Sequence, residues 1–295
     1  MGAVRAVKLL VAGANGMLGN DVRRAGERAG HELILLDMPE LDITDVRSVE
    51  RLFERERPQA TINCAAWTDV DGAESHADAA YAVNAQGAGN LARAAARIGA
   101  PLLHISTDYV FDGTAPRDAA GAPRPYRESD PTAPRSVYGE TKLAGELQVL
   151  GASPEHTVVR TAWLYGIDGA NFVDTMLRLA RERDAVQVVD DQIGSPTWSG
   201  HLAPALVGLL ERGVRGLVHL TGAGSVSWNG FAREIFRQAE VGCRVEAISS
   251  AQMARPAPRP AFSVLDSERD DVVPMGPWQD GLAGYLAARA GMMRA

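Results

Sequence analysis

Short apolar runs and amphipathic stretches alternate along the first half of the chain with the rhythm of βαβ units. Residues 7–12 and 32–36 are apolar runs of strand length. Between them 18–29 has helical spacing, with Asp21, Arg23, Arg24, Glu27 and Arg28 assigned to its wet side. Helical spacing resumes at 45–56, then come a strand at 60–64, a long alanine-rich helix at 77–98 and a strand at 102–106. This alternation predicts a parallel sheet with helices on both faces. Residues 113–134 are rich in Pro, Arg, Gly and Asp and have no period, which marks a mobile loop near a site. A helix from about 138 to 150 and a strand at 156–160 complete this half.

After Tyr165 the rhythm changes. Helices are expected at 171–183, 201–212, 228–238 and 281–292, strands at 186–189 and 217–220, and irregular chain over 253–266. The predicted architecture is α/β. A Rossmann-like doubly wound parallel sheet occupies 1–165, and a smaller C-terminal α/β substrate domain over 166–295 covers its carboxyl edge, some segments being free to return to the sheet.

Composition narrows the class. A chain of 295 residues buries a core without staples, and two cysteines, Cys64 and Cys243, make no disulfide framework, so it reads as a cytoplasmic protein with reduced thiols. The N-terminal apolar stretch is interrupted by Arg5 and Lys8 and runs straight into glycines, so it reads as a strand and not a signal peptide. No run approaches the roughly 18 uncharged apolar residues of a membrane span. A net charge of -7 leaves little for a basic face, so neither nucleic acid nor membrane is expected as a partner.

Candidate chemistry begins at GANGMLG (13–19), where Gly13, Gly16 and Gly19 stand between a strand and a helix. Small residues there let a pyrophosphate approach the positive helix end, with Asn15, Met17 and Leu18 in the same turn. Asp37 closes the second strand about 20 residues on, where a carboxylate accepts from ribose hydroxyls. It would repel a 2′-phosphate and has no Arg beside it, which favours NADH over NADPH. Asp42 and Ile43 either flank an adenine or form a plain turn. Ala65, Ala66, Trp67 and Thr68 follow a strand end whose small residues suit a backbone passing beneath a cofactor, although packing alone also selects Ala.

Tyr138 and Lys142 are four residues apart and share one helix face. An ammonium beside the phenol is expected to lower its pKa from the usual value near ~10, tuning it as a proton donor. Thr107, at the end of the strand before, can add a hydrogen bond to the same substrate oxygen. Trp163 lies just past a strand end, where an indole either stacks on a sugar or fills core. Arg259, within RPAPRP, either pins a nucleotide diphosphate or sits in a solvated connector. The six histidines lack metal-ligand spacing and Ser106 lacks a partnered His, so neither a metal centre nor nucleophilic hydrolysis is expected.

Taken in order, GANGMLG, ELDITD, AAWTDVDGAE, STDYVFDG, SVYGETKLAGE, RTAWLYG, VVDDQIGSPT and RPAPRPAFSVLD resemble the motifs of extended short-chain dehydrogenases/reductases. Within that superfamily the chain closely resembles the dTDP-4-dehydrorhamnose reductases over nearly its whole length. The resemblance implies NADH or NADPH as cofactor and a dTDP-4-keto-6-deoxyhexose as substrate. It makes Tyr138 the proton donor, Lys142 its helper and Thr107 the third catalytic hydroxyl. Gly16, Met17, Leu18, Asp37, Asp42, Ile43, Ala66, Trp67 and Thr68 match cofactor positions, and Asp108 and Trp163 match positions facing the deoxysugar. At position 67 the family mostly carries an aromatic other than Trp. Some relatives hold magnesium between subunits. Asp21 matches one such position, but Ser199-Gly-His201 offers no second acid, so no metal is expected, and a homodimer is left open. Two rivals remain. One is an epimerase or 4,6-dehydratase of the same fold, although dehydratases carry Glu where Tyr109 follows Asp108; the other is a non-catalytic dinucleotide-binding subunit.

Overall fold

The computed structural model describes residues 6–292. Its frame is a parallel sheet of six strands, five of which are β1 (Lys8–Ala12), β2 (Glu32–Leu36), β3 (Ala60–Asn63), β4 (Leu102–Thr107) and β5 (Thr157–Thr161). The sixth, Gly216–His219, pairs with β5, so the order is Gly216–His219, β5, β4, β3, β1, β2. The central strands are buried on both faces because helices cover both. Strand order reverses between β1 and β3, where Ala12 is in register with Asn63. In such sheets the crevice beyond the carboxyl ends at this reversal is where ligands sit.

Helix α1 (Met17–Arg28) buries Leu18, Val22 and Ala25 against the sheet. Its other flank meets the helix Ser199–Glu211, which lies beyond residue 165 yet packs Leu202, Leu206 and Val207 into the same core. Each such side chain contributes roughly 1.5–3 kcal/mol on burial. The assignment of Asp21 to the wet side is therefore corrected. Asp21 is buried, accepting from the Ser199 hydroxyl at 2.5 Å and from Arg24 at 2.9 Å. A helix held between two partners keeps only a narrow wet strip, and here Glu27 and Arg28 occupy it.

The alanine-rich stretch is helical in pieces, Ala77–Tyr81 and Ala88–Arg97, joined by a π-helical turn at Ala82–Gly87. Such wide turns often mark functional positions. Here it turns Asn84 inward, fully buried. A separate core around Val173, Phe231, Ile235, Trp278 and Tyr285 binds the helices Phe172–Glu182, Trp228–Gln238 and Trp278–Met292. Beside them Ala185–Val189 pairs in parallel with Arg244–Ile248. The second of these strands escapes the hydrophobic pattern because its sequence, RVEAI, is mostly exposed. Among the described residues no helix is long and apolar enough to cross a membrane.

Among the described residues one ion pair is buried on both sides. Arg160 on β5 grips the Glu146 carboxylate through Nε at 2.9 Å and Nη2 at 2.7 Å, and the Ser106 hydroxyl donates to the same group at 2.6 Å. Removing one partner strands a buried charge, which costs roughly 3–5 kcal/mol, whereas replacing both with apolar groups is often near neutral. Glu146→Gln is therefore expected to lower Tm sharply, and Glu146→Met combined with Arg160→Met to recover most of the loss. Unfolding curves that leave the Tm of Glu146→Gln at the wild-type value would show that the pair adds no stability.

Candidate active site

The turn between β1 and α1 presses against the end of β3. Gly13 has φ +74°, and a Cβ on it would lie 2.5 Å from the Ala65 nitrogen, so glycine alone permits the approach. Gly16 caps α1 without a side-chain bond and the first turn carries no acid; Asn15 and Gly16 are exposed. No side chain therefore caps the N–H groups at the start of this 12-residue helix, an end that fits a pyrophosphate. Met17 is half-buried and Leu18 anchors the helix in the core. Asp37 accepts from the Asn15 N–H at 2.9 Å and from the Met38 N–H at 2.8 Å, which sets its carboxylate beside the turn.

Asp42 is exposed and closes a local turn by accepting from Thr44 N–H and hydroxyl at 2.8 and 2.7 Å. Ile43 is buried against Gly87. After β3, Ala65, Ala66 and Trp67 are half-buried and Thr68 is exposed. Asn84 holds the Trp67 backbone from both sides, accepting from its N–H at 2.8 Å and donating to its carbonyl at 3.1 Å. It also donates to Thr141 at 3.0 Å, joining the strand-end loop to the Tyr138 helix. The Trp67 indole donates to the Asp69 carbonyl at 2.9 Å.

The helix Val137–Ala152 starts at Ser136, whose hydroxyl accepts from the Gly139 N–H at 3.2 Å, while Glu74 accepts from the Val137 N–H at 2.9 Å. These bonds aim the first turn at the end of β4. Burial pushes the Tyr138 phenol up to about 12, a hydrogen bond with Thr107 works against that rise, and the charge of Asp108 adds to it. Tyr109 packs edge-on to Tyr138, ring centres 5.5 Å apart. Thr107 donates to Asp108 at 3.0 Å. Burial also raises the Asp108 carboxyl to about 6, with the Ser263 and Thr107 hydroxyls acting in the other direction.

Lys142 departs from expectation. Its ammonium is buried and donates to the Ile105 carbonyl at 2.7 Å, with His104 Nε2 at 3.4 Å. It has no hydrogen bond to Tyr138 and makes no contribution to the phenol's shift, so the expected lowering of that pKa is replaced by a rise through burial. Burial pulls the lysine itself down to about 8, partly offset by the charge of Glu146.

Beside Tyr109 opens a cleft of about 720 Å³ between the sheet's carboxyl edge and the second core, lined by Phe172, Met176, Gln192, Trp228 and Arg259. Trp163, at φ +47°, stacks on Trp228 with ring centres 3.6 Å apart and planes 6° from parallel, and Trp228 supplies the indole that lines the cleft. Arg259 is held by Asp71 at 2.7 and 2.9 Å and donates to the Ala257 carbonyl at 2.7 Å. Three of its five N–H groups are thereby used, leaving two for a ligand. Motif reading missed Asn84, Asp71, His104 and Glu146. Each acts through a partner far along the chain, and only the SVYGETKLAGE and AAWTDVDGAE matches hinted at two of them.

The sheet order and its reversal make this a Rossmann-like protein, and a Tyr138–Lys142 helix seated on β4 narrows that class to the extended short-chain dehydrogenases/reductases. The chain belongs to the family described as the RmlD substrate binding domain, which matches residues 7–290. It is similar to a dTDP-4-dehydrorhamnose reductase of Mycobacterium tuberculosis, 48% identical over 98% of this chain and 95% of that protein. A dTDP-4-dehydrorhamnose reductase structure from Clostridium acetobutylicum is 41% identical, with a TM-score of 0.90 over 95% of this chain and 99% of its own. One from Bacillus anthracis, solved in complex with NADP, is 36% identical with a TM-score of 0.91 over 96% of this chain and 100% of its own.

Asp71 gives the cleft a pH signature. Arg259, helped by the Ala257 N–H and Arg255, holds its carboxyl at about 2, below the ordinary 3.8. A carboxyl depressed on folding adds stability above its unfolded pKa, and that contribution fades as the pH falls toward the folded one. Protection of the Ala257 amide from hydrogen exchange is thus expected to persist down to about pH 3.8, to fade toward about 2, and to be weakened above that range by Asp71→Asn. Protection lost well above pH 3.8 would show that another group holds the segment.

Proposed function

We propose that this protein reduces the C4 ketone of dTDP-4-dehydro-L-rhamnose to dTDP-L-rhamnose, with NADH or NADPH as reductant. The observation that carries the reading is the Tyr138 phenol, paired with Thr107 and standing next to Tyr109, which lines the cleft. The names of relatives up to 48% identical over nearly the full length support the choice of substrate. The reduced nicotinamide, when bound, supplies the hydride that C4 receives.

With its pKa near 12 the Tyr138 phenol holds its proton at neutral pH. The C4 oxygen becomes strongly basic as C4 is reduced and takes that proton, leaving a phenolate. Thr107 orients the phenol and the oxygen; Lys142, one helical turn along, rests on the Ile105 carbonyl while the phenol is neutral, and the family resemblance assigns it to assist once the phenolate forms. By the resemblance, Asp108 and Trp163 would face the deoxysugar; Trp228, stacked on Trp163, would present the indole face in the cleft, and the two free N–H groups of Arg259 would meet the diphosphate.

Gly13, Asn15, Gly16, Met17 and Leu18 would hold the cofactor's pyrophosphate at the start of α1. Asp37 would take the ribose hydroxyls, Asp42 and Ile43 the adenine, and Ala65, Ala66, Trp67 and Thr68 the floor that leads toward Tyr138 and Lys142. The free thiols of Cys64 and Cys243 accord with a cytoplasmic location.

Tyr138→Phe is expected to cut turnover by roughly 10²–10⁴ while leaving cofactor affinity nearly unchanged, as measured by substrate-dependent loss of nicotinamide absorbance and by fluorescence titration. Retained turnover rejects the assignment. Asp37→Ser is expected to raise kcat/KM with NADPH relative to NADH by on the order of tenfold, since it removes a carboxylate that opposes a 2′-phosphate. An unchanged ratio would remove Asp37 from the ribose site.

A further inference from the structure

Behind Lys142, β3 and β4 bring together two buried side chains for which the mechanism has no use. Asn63 and His104 are both at 0% exposure, and Lys142 is at 2%. The Ala65 N–H donates to Asn63 Oδ1 at 3.0 Å, which turns the amide nitrogen of Asn63 toward His104 Nδ1, also at 3.0 Å. An amide nitrogen only donates, so Nδ1 must carry the lone pair. Burial pushes the imidazole well below its usual pKa, so the ring is neutral and its one proton sits on Nε2. That nitrogen is the one 3.4 Å from Lys142 Nζ.

We propose that Asn63 and His104 are positioning residues for Lys142: the tautomer that Asn63 imposes on His104 turns an N–H at the lysine nitrogen, disfavouring the ammonium and setting the alkaline limit of activity. An N–H facing an ammonium is two donors face to face; facing a neutral amine it is a hydrogen bond. With all three groups buried, no water relieves the first arrangement. The remaining neighbours of the lysine sort by direction. Glu146 on its own helix, tied to Arg160 on β5 and Ser106 on β4, favours the charge, as does the Ile105 carbonyl on β4. Cys64, past the end of β3, has its thiol raised to about 12 and is neutral, as is the Tyr138 phenol one turn back. Burial and the His104 N–H oppose the charge. The ammonium releases its proton to solvent and no other bond changes.

The inference rests on Lys142 assisting Tyr138, but its test reads the lysine directly and so can fail apart from the reductase assay. The chain contains two lysines, Lys8 and Lys142, so lysine labelled with ¹³C at Cε gives two signals, assigned by the loss of one in Lys142→Met. In the whole chain the Lys142 signal is expected to titrate well below the ordinary lysine value of 10.5. In Asn63→Asp the new carboxylate accepts from the Ala65 N–H and draws the imidazole proton to Nδ1. This leaves Nε2 free to accept from the ammonium, and the Lys142 midpoint is expected to rise by about one pH unit, together with the alkaline limb of kcat/KM. Long-range ¹⁵N–¹H spectra of the wild type supply a readout that needs no variant to fold. A His104 ring with its proton on Nδ1, or a folded Asn63→Asp protein whose Lys142 midpoint stays put, overturns the proposal.

Discussion

A lysine nitrogen buried at the carboxyl end of a parallel sheet is the constraint on which the site depends. An unpaired ammonium in such surroundings would be prohibitively unfavourable, so the fold must bring acceptors to it. The Ile105 carbonyl does so at 2.7 Å only because the helix Val137–Ala152 lies close along β4. The same helix approaches the π-helical turn as closely at Gly145, where a Cβ would collide with the Asn84 backbone carbonyl. Asn84 in turn holds the Trp67 backbone. One chain of close contacts therefore runs from the buried cation to the strand-end loop beside the glycine turn, so the start of the Tyr138 helix and the crevice at the glycine turn cannot be positioned independently.

Much of this could be read along the chain, for identifiable reasons. The glycine turn, the strand ends and the Tyr138 helix are local objects, set by period, by small residues and by a Ser136 cap, and these signals lie within a few residues of one another. The relation of Tyr138 to Lys142 was legible only as far as a shared helix face. Sequence spacing says that two side chains are neighbours. It is silent on the Ile105 carbonyl, 37 residues away, that captures one of them. Asp21 was misread for a like reason, since the partner that buries it, Ser199, is 178 residues distant.

The same limit explains the second half of the chain. The strand Gly216–His219 is apolar and was visible as a strand, but its place beside β5 is a matter of topology. Arg244–Ile248 pairs at an edge and shows no hydrophobic alternation. The segment from Arg255 to Arg259 has no regular structure at all, and its position follows from Asp71 alone among nearby carboxylates reaching both arginines and the Ala257 N–H. A segment ordered by one ion-paired carboxylate, and not by a core, lies at the low end of local stability, where cleft walls that must admit a ligand belong.

A chain of net charge -7 that accepts a dinucleotide and a nucleotide diphosphate needs its anion sites to be local. Screening at physiological salt confines the influence of exposed charges to about 8 Å, so the overall sign matters less than what lies within that distance. Near the glycine turn the proposed groups are the N–H donors of α1, which no side chain caps and whose first turn carries no acid. In the cleft the proposed groups are Arg259 and Arg255, already set in place by Asp71. The pairing with Asp71 cancels part of the positive charge that Arg259 presents. It also fixes the guanidinium before a ligand arrives, so less rotamer freedom is lost on binding. An acidic surface and two well-placed anion sites are thus compatible, because one is a property of the whole composition and the other of a helix end and one preorganised arginine.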